Sequence, residues 1–125
     1  MNVLVISTRQ QRWQALAPEF HARGLALLFS DSLDKALGSL RENPPAVVIL
    51  DLEPQHEPEY RDVQIHNIRN NLTSILMVNA MVHTAVVSRL SHDEFHDALE
   101  GFGVLLGIPP EPAPQDVARL SEALQ

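Results

Sequence analysis

Asp51 is the residue of this chain whose setting most invites a chemical reading. It closes the apolar run Ala46-Val47-Val48-Ile49-Leu50 without an intervening polar residue. A carboxylate placed there suits a phosphoryl- or metal-dependent activity, or simply caps or anchors a loop. Ser7 and Thr8 follow a similar run, Val3 to Ile6, but no glycine-rich oxyanion turn accompanies these hydroxyls. His92 and His96 stand four residues apart, so one helix face would carry both imidazoles at a metal-compatible spacing. A zincin requires His-Glu-x-x-His, whereas this stretch reads His-Asp-Glu-Phe-His, and only His83 could approach as a third ligand. No metal site is expected, and an exposed polar helix face accounts for the pair. The Gly101-x-Gly103 pair ends a helix instead of opening one, which does not suit a phosphate cradle. With no cysteine, thiol catalysis, thiolate zinc binding and disulfides are excluded.

Alternating apolar runs and amphipathic stretches position these residues. Val3–Ile6 reads as a strand buried on both faces. Thr8 is placed to cap a helix with Trp13, Leu16 and Phe20 inward, kinked or restarted at Pro18 and stopped at Gly24. Leu25–Phe29 is a second strand. Caps at Ser30–Ser32 precede a helical stripe of Leu33, Ala36, Leu37 and Leu40, which Pro44-Pro45 terminates. Ala46–Leu50 is the third strand. An acidic, proline-marked loop over Leu52–Glu59 leads to a helix from about Tyr60 to Asn70, with Val63, Ile65 and Ile68 inward. Ile75–Val78 and Val104–Ile108 are expected as strands four and five. Between them, two short helices or one bent helix are expected from Val82 to Gly101, with a capping box over Ser91–Glu94. Four prolines between 109 and 114 make an extended connector before a last helix through Val117, Leu120 and Leu124. Non-alternating strands separated by helices predict a doubly wound α/β fold with a parallel sheet.

The 125 residues suit a single domain, 1–125. No apolar run reaches the ~18–20 residues of a membrane span, and the start lacks a signal peptide's basic lead-in. A cytoplasmic location is the expectation. The net charge of −7 argues against nucleic acid as a partner. The charge is uneven: residues 1–50 carry five basic and four acidic groups, and residues 51–125 carry four and twelve. Such an acidic half repels nucleic acid and attracts a basic protein patch.

The chain resembles the receiver domain of two-component response regulators, the CheY-like fold of bacterial signalling. The resemblance covers nearly all of it and is clearest from Asn2 to Glu53. The stretch SDSLDKALGSLRENPPAVVILDLE looks like the receiver's second helix, third strand and phosphoacceptor loop. The resemblance implies a five-stranded sheet of order 2-1-3-4-5, with a longer helical segment than usual between strands four and five. It places Asp51 at the phosphoacceptor position, Asn79 at the switch hydroxyl and Leu105 at the switch aromatic. Ile108-Pro109 falls at the terminal Lys-Pro of strand five, which would make a cis bond there. Phosphoryl transfer to an aspartate needs Mg²⁺, which the family holds with an acidic pair after strand one. Here that pair is Ser7 and Thr8, and the lysine is Ile108. The chain therefore looks like a degenerate, or pseudo-, receiver, with Mg²⁺ binding weak or absent and no cofactor.

The resulting expectation is a stand-alone signal-transduction module, not an enzyme, that works by protein–protein contact without phosphorylation. Its interaction surface is expected over Val82, His83, Asp93, Glu94, Phe95, Phe102 and Leu105. The partner would be another protein, or a second copy of the chain meeting the helix before strand five, strand five and the last helix. Neither nucleic acid nor membrane is expected. Two alternatives stay open at this point. One is a phosphorelay receiver still phosphorylated at Asp51. The other is a STAS-like anti-anti-sigma domain, which is of similar size but opens with neighbouring strands.

Overall fold

A computed structural model describes residues 1–52 and 61–125, except the side chain of Arg61. Its elements are β1 (Asn2–Ser7), α1 (Gln10–Gln14), α2 (Ala17–Ala22), β2 (Ala26–Ser30), α3 (Leu33–Glu42), β3 (Val47–Asp51), α4 (Arg61–Val78), β4 (His83–Val87), α5 (His92–Leu99), β5 (Leu106–Ile108) and α6 (Pro114–Ala123). The five strands form one parallel sheet of order β2-β1-β3-β4-β5. Of the acidic loop expected over Leu52–Glu59, the part from 53 on lies outside the described residues, as does Tyr60.

The apolar strands are apolar because both faces of the sheet are covered. Strand side chains alternate between faces, so β1 sends Val3 and Val5 to one layer and Leu4 and Ile6 to the other. β3 does the same with Val47 and Ile49 against Val48 and Leu50. The first layer packs under Trp13, Phe20, Val117 and Leu120. The second packs under Ala36, Leu40, Ile68, Leu72, Ile75 and Leu99. The period-two parity continues to the strand ends. It puts Ser7 and Asp51, paired across β1 and β3, on the face that carries Trp13.

Several local signals act as their chemistry dictates. Pro18 falls in the first turn of α2, where its missing N–H costs nothing, so the expected kink is a restart. Gly24 adopts φ 76°, a left-handed conformation that ends the helix. The Ser32 hydroxyl accepts from the Lys35 amide. Ser91 and Glu94 form the reciprocal capping box.

The structure corrects the expectations in six places. Ile75–Val78 is the end of α4, not a strand: Ile75 is fully buried while Met77 is 83% exposed, the asymmetry of a helix on one sheet face. Ile68, Leu72 and Ile75 form its buried stripe at i, i+4, i+7, and Val63 is exposed. The fourth strand is instead His83–Val87, within the stretch expected to be helical from Val82 to Leu90. The segment between strands four and five is consequently not extended and holds the single helix α5. Thr8 caps nothing; the N-cap of α1 is Arg9, without a side-chain hydrogen bond. The Ile108-Pro109 peptide is trans, as are all peptide bonds among the described residues.

Candidate functional site

The carboxyl ends of β1 and β3 bring Ser7 and Asp51 together at the centre of the sheet. Asp51 is 3% exposed, and burying a bare carboxylate there would cost several kcal/mol without compensating donors. Three donors converge on it. Ser7 Oγ donates to Asp51 Oδ2 at 2.8 Å, and Trp13 Nε1 donates to the same oxygen at 2.9 Å. Arg9 Nη2 donates to Oδ1 at 2.9 Å, forming an ion pair with Arg9 31% exposed and Asp51 nearly enclosed. The Arg9 amide in turn donates to Ser7 Oγ at 2.8 Å. That bond holds the turn after β1 in the shape that sends the guanidinium back over the carboxylate.

These donors settle whether the residues present suit a Mg²⁺ ion. Such an ion seeks several hard anionic oxygens. The two oxygens of Asp51 already take hydroxyl, indole and guanidinium hydrogens, and Asp31, the other carboxylate that the described residues bring to this edge, pairs with Lys35. Thr8 is exposed and uncharged. The arrangement does not fit the ion, and a fixed cation, Arg9, already neutralises the carboxylate.

Other expected site residues fall elsewhere. Asn79 follows α4 at the opposite, amino edge of the sheet, where its Oδ1 accepts from the Met81 amide. The hydroxyl at the end of strand four belongs to Ser88, which is buried just beyond Val87. The shift of strand four from Ile75–Val78 to His83–Val87 is what puts Ser88, and not Asn79, at that edge. Ile108 is buried with Val87, Trp13 and Val117. Pro109 is exposed. Arg9 and Trp13 were not anticipated at Asp51; the signal was present in the parity of Ser7 and Asp51 and in a cation immediately past β1.

The expected interaction residues do not form one patch. Val82 is buried in the second core layer, and His83 opens β4 at the amino edge. Both lie at the amino end of β4, whereas His92 opens α5 beyond the strand's carboxyl end. His83 therefore cannot complete a site with His92 and His96, and no three metal-ligating side chains cluster among the described residues. Asp93 is exposed on α5, whereas Glu94 is committed to the capping box. Phe95 is half-buried, its ring against Gly107 of β5. Phe102 is half-buried beneath the Arg69 guanidinium, 5.6 Å from the ring centre. Leu105 is partly buried and donates its amide to Thr84. Near the candidate site, Asp31 and Thr8 help to line a cavity of about 570 Å³. The hydrogen bond and charge of Lys35 hold the Asp31 carboxyl below its usual range.

This doubly wound sheet, with an aspartate at the end of its central strand, has the fold of response-regulator receiver domains. A two-component response regulator from Clostridium difficile superposes with a TM-score of 0.73 at 12% identity, over 99% of this chain and 94% of that one. A putative CpaE2 pilus assembly protein from Sinorhizobium meliloti 1021 gives 0.72 at 14% identity, over 98% and 99%. The CheY-like protein tadZ from Pseudomonas aeruginosa PAO1 gives 0.68 at 11% identity, over 99% and 92%. No family model and no curated protein matches the sequence. Two helices, α1 and α2, separate β1 from β2 along the chain, which keeps the strand-helix alternation expected of a receiver-like fold. No helix among the described residues is long and apolar enough to cross a membrane.

Proposed function

We propose that this chain is a cytoplasmic, receiver-like signalling module, not an enzyme, that acts through protein contact and does not use Asp51 as a phosphoryl acceptor. The three donors on Asp51 carry the reading. A nucleophilic carboxylate must offer a free oxygen to phosphorus, with a metal to neutralise the developing charge. Both oxygens of Asp51 are occupied, and the nearest cation is part of the chain. Incubation with acetyl phosphate and Mg²⁺ is expected to leave the intact mass unchanged. A phosphoryl adduct lost in Asp51→Asn would favour the phosphorelay alternative.

The partner surface best supported is α5 with the adjoining edge strand β5. Residues 91–100 carry four acids and no Lys or Arg. Such a face steers a basic protein partner and repels a second acidic copy of itself. Because Glu94 serves the cap, the informative charge reversal is Asp93→Lys with Asp97→Lys. It is expected to shift stability by no more than about 0.5 kcal/mol and to weaken capture of a partner by the intact chain at least about tenfold. Phe95→Ala, by contrast, empties the space over Gly107 and is expected to cost about 2 kcal/mol, less than a fully buried ring. Undiminished capture by the charge-reversed chain, at any salt concentration, would remove this surface from consideration.

A further inference from the structure

The loops after β4 and β5, the start of α5 and one side of α6 line an open cavity of about 510 Å³. That volume lies within the range of pockets that hold small organic ligands. Its polar lining is cationic although the whole chain carries −7. Arg89 and Arg119 both face it, with His92 and the buried Ser88 beside them. Arg89 makes no ion pair among the described residues. Arg119 is held in place by Asp116 Oδ1 at 3.0 Å and the Gly107 carbonyl at 3.3 Å. A guanidinium has five N–H donors, so Arg119 keeps free donors after these two bonds. The nearby acids are already committed: Asp116 accepts from the Ala113 amide and from Arg119, and Glu111 pairs with Arg12. Phe95 and Pro110 add apolar surface to the lining.

We propose that this cavity binds a small organic anion, with a phosphate or carboxylate head on an aromatic body. Planar guanidinium groups match the paired oxygens of either head. Arg89 and Arg119 receive the head, and Phe95 and Pro110 cover the body. The site is separate from Asp51 and independent of the reading above. It would give the module a chemical input that requires no phosphoryl transfer, because its lining includes Ser88 at the end of β4 and residues of the α5 surface.

The test is an amide-resolved NMR titration of the intact chain with phenyl phosphate, benzoate, inorganic phosphate and phenol. Phenyl phosphate or benzoate is expected to shift the amides of Arg89 and Gly107 saturably at millimolar concentration or below. The tighter of the two identifies the head group. Inorganic phosphate and phenol, each lacking one half of the recognition, are expected to bind at least about tenfold more weakly. Arg89→Gln, at an exposed position, is expected to reduce aryl-anion affinity by about tenfold. Arg41→Gln, at an exposed position in the last turn of α3 and outside this cavity, should leave that affinity unchanged. The proposal is overturned by the absence of saturable shifts, by equal affinity in Arg89→Gln, or by inorganic phosphate binding as tightly as the aryl anions.

Discussion

Asp51→Ala is expected to destabilise the fold by about 3 kcal/mol, seen as a fall of about 10 °C in the thermal midpoint. The substitution removes the acceptor of three hydrogen bonds and the partner of an ion pair. It leaves the Ser7 hydroxyl and the Trp13 indole N–H facing an apolar void. Unsatisfied buried donors cost their full desolvation, which is larger than the net value of the bonds themselves. Arg9 can swing to water, since it is 31% exposed, so its contribution is the smaller part. Asp51→Asn is expected to fall between Ala and wild type, because its carbonyl still accepts while its amide N–H₂ faces other donors. The sign is diagnostic. In a receiver with an acidic pair beside its phosphoacceptor, removing one of three carboxylates relieves repulsion. In this chain it removes the anchor of α1. An unchanged or raised midpoint in Asp51→Ala would mean that the Arg9–Trp13–Ser7 arrangement is not formed in solution.

The second large effect concerns Mg²⁺. Restoring the acidic pair alone, in Ser7→Asp with Thr8→Asp, is expected to give little binding, because Arg9 still occupies the anionic side of the site and competes for the same oxygens. Adding Arg9→Ala removes that internal cation. The triple variant is expected to bind Mg²⁺ at least about tenfold more tightly than the double variant, a difference of about 1.4 kcal/mol. Calorimetry measures the affinities. Trp13, the single tryptophan of the chain, supplies an independent optical signal because its indole donates to Asp51. Equal affinity in the double and triple variants would show that Arg9 does not stand in the place of a metal. Binding by the wild-type chain at millimolar Mg²⁺, lost in Asp51→Asn, would overturn the proposal that the site has given up the ion.

How much could be read from the chain depended on whether the deciding interaction was local. The restart at Pro18, the stop at Gly24 and the Ser91–Glu94 box involve residues within one turn of each other, and their chemistry admits few alternatives. The continuous apolar runs of β1 and β3 specified a doubly covered sheet, because only a strand buried on both faces lacks polar alternation. Strand four was different. Ile75-Leu76-Met77-Val78 and Val82–Val87 are both short apolar runs near the right place, and runs of that length satisfy helix and strand periods alike. The choice came from outside either segment. Ile68, Leu72 and Ile75 share a helical stripe that covers one face of the sheet, while Val86 and Ala85 fill the slot beside β3. The displaced strand changed which polar residue follows it, from Asn79 to Ser88.

The same division holds at Asp51. The sequence by itself determined that a carboxylate ends the third strand, and that Ser7 and Thr8 cannot supply a metal's charge. Only the tertiary structure decided what became of that carboxylate. Its donors Arg9 and Trp13 lie 42 and 38 residues away along the chain. They reach it because parallel pairing of β1 with β3 puts Ser7 beside Asp51 on the face that α1 covers. Contacts at that separation leave no periodic trace in either segment. They are set by how the strands pair and which layer each side chain enters, and those are properties of the assembled sheet.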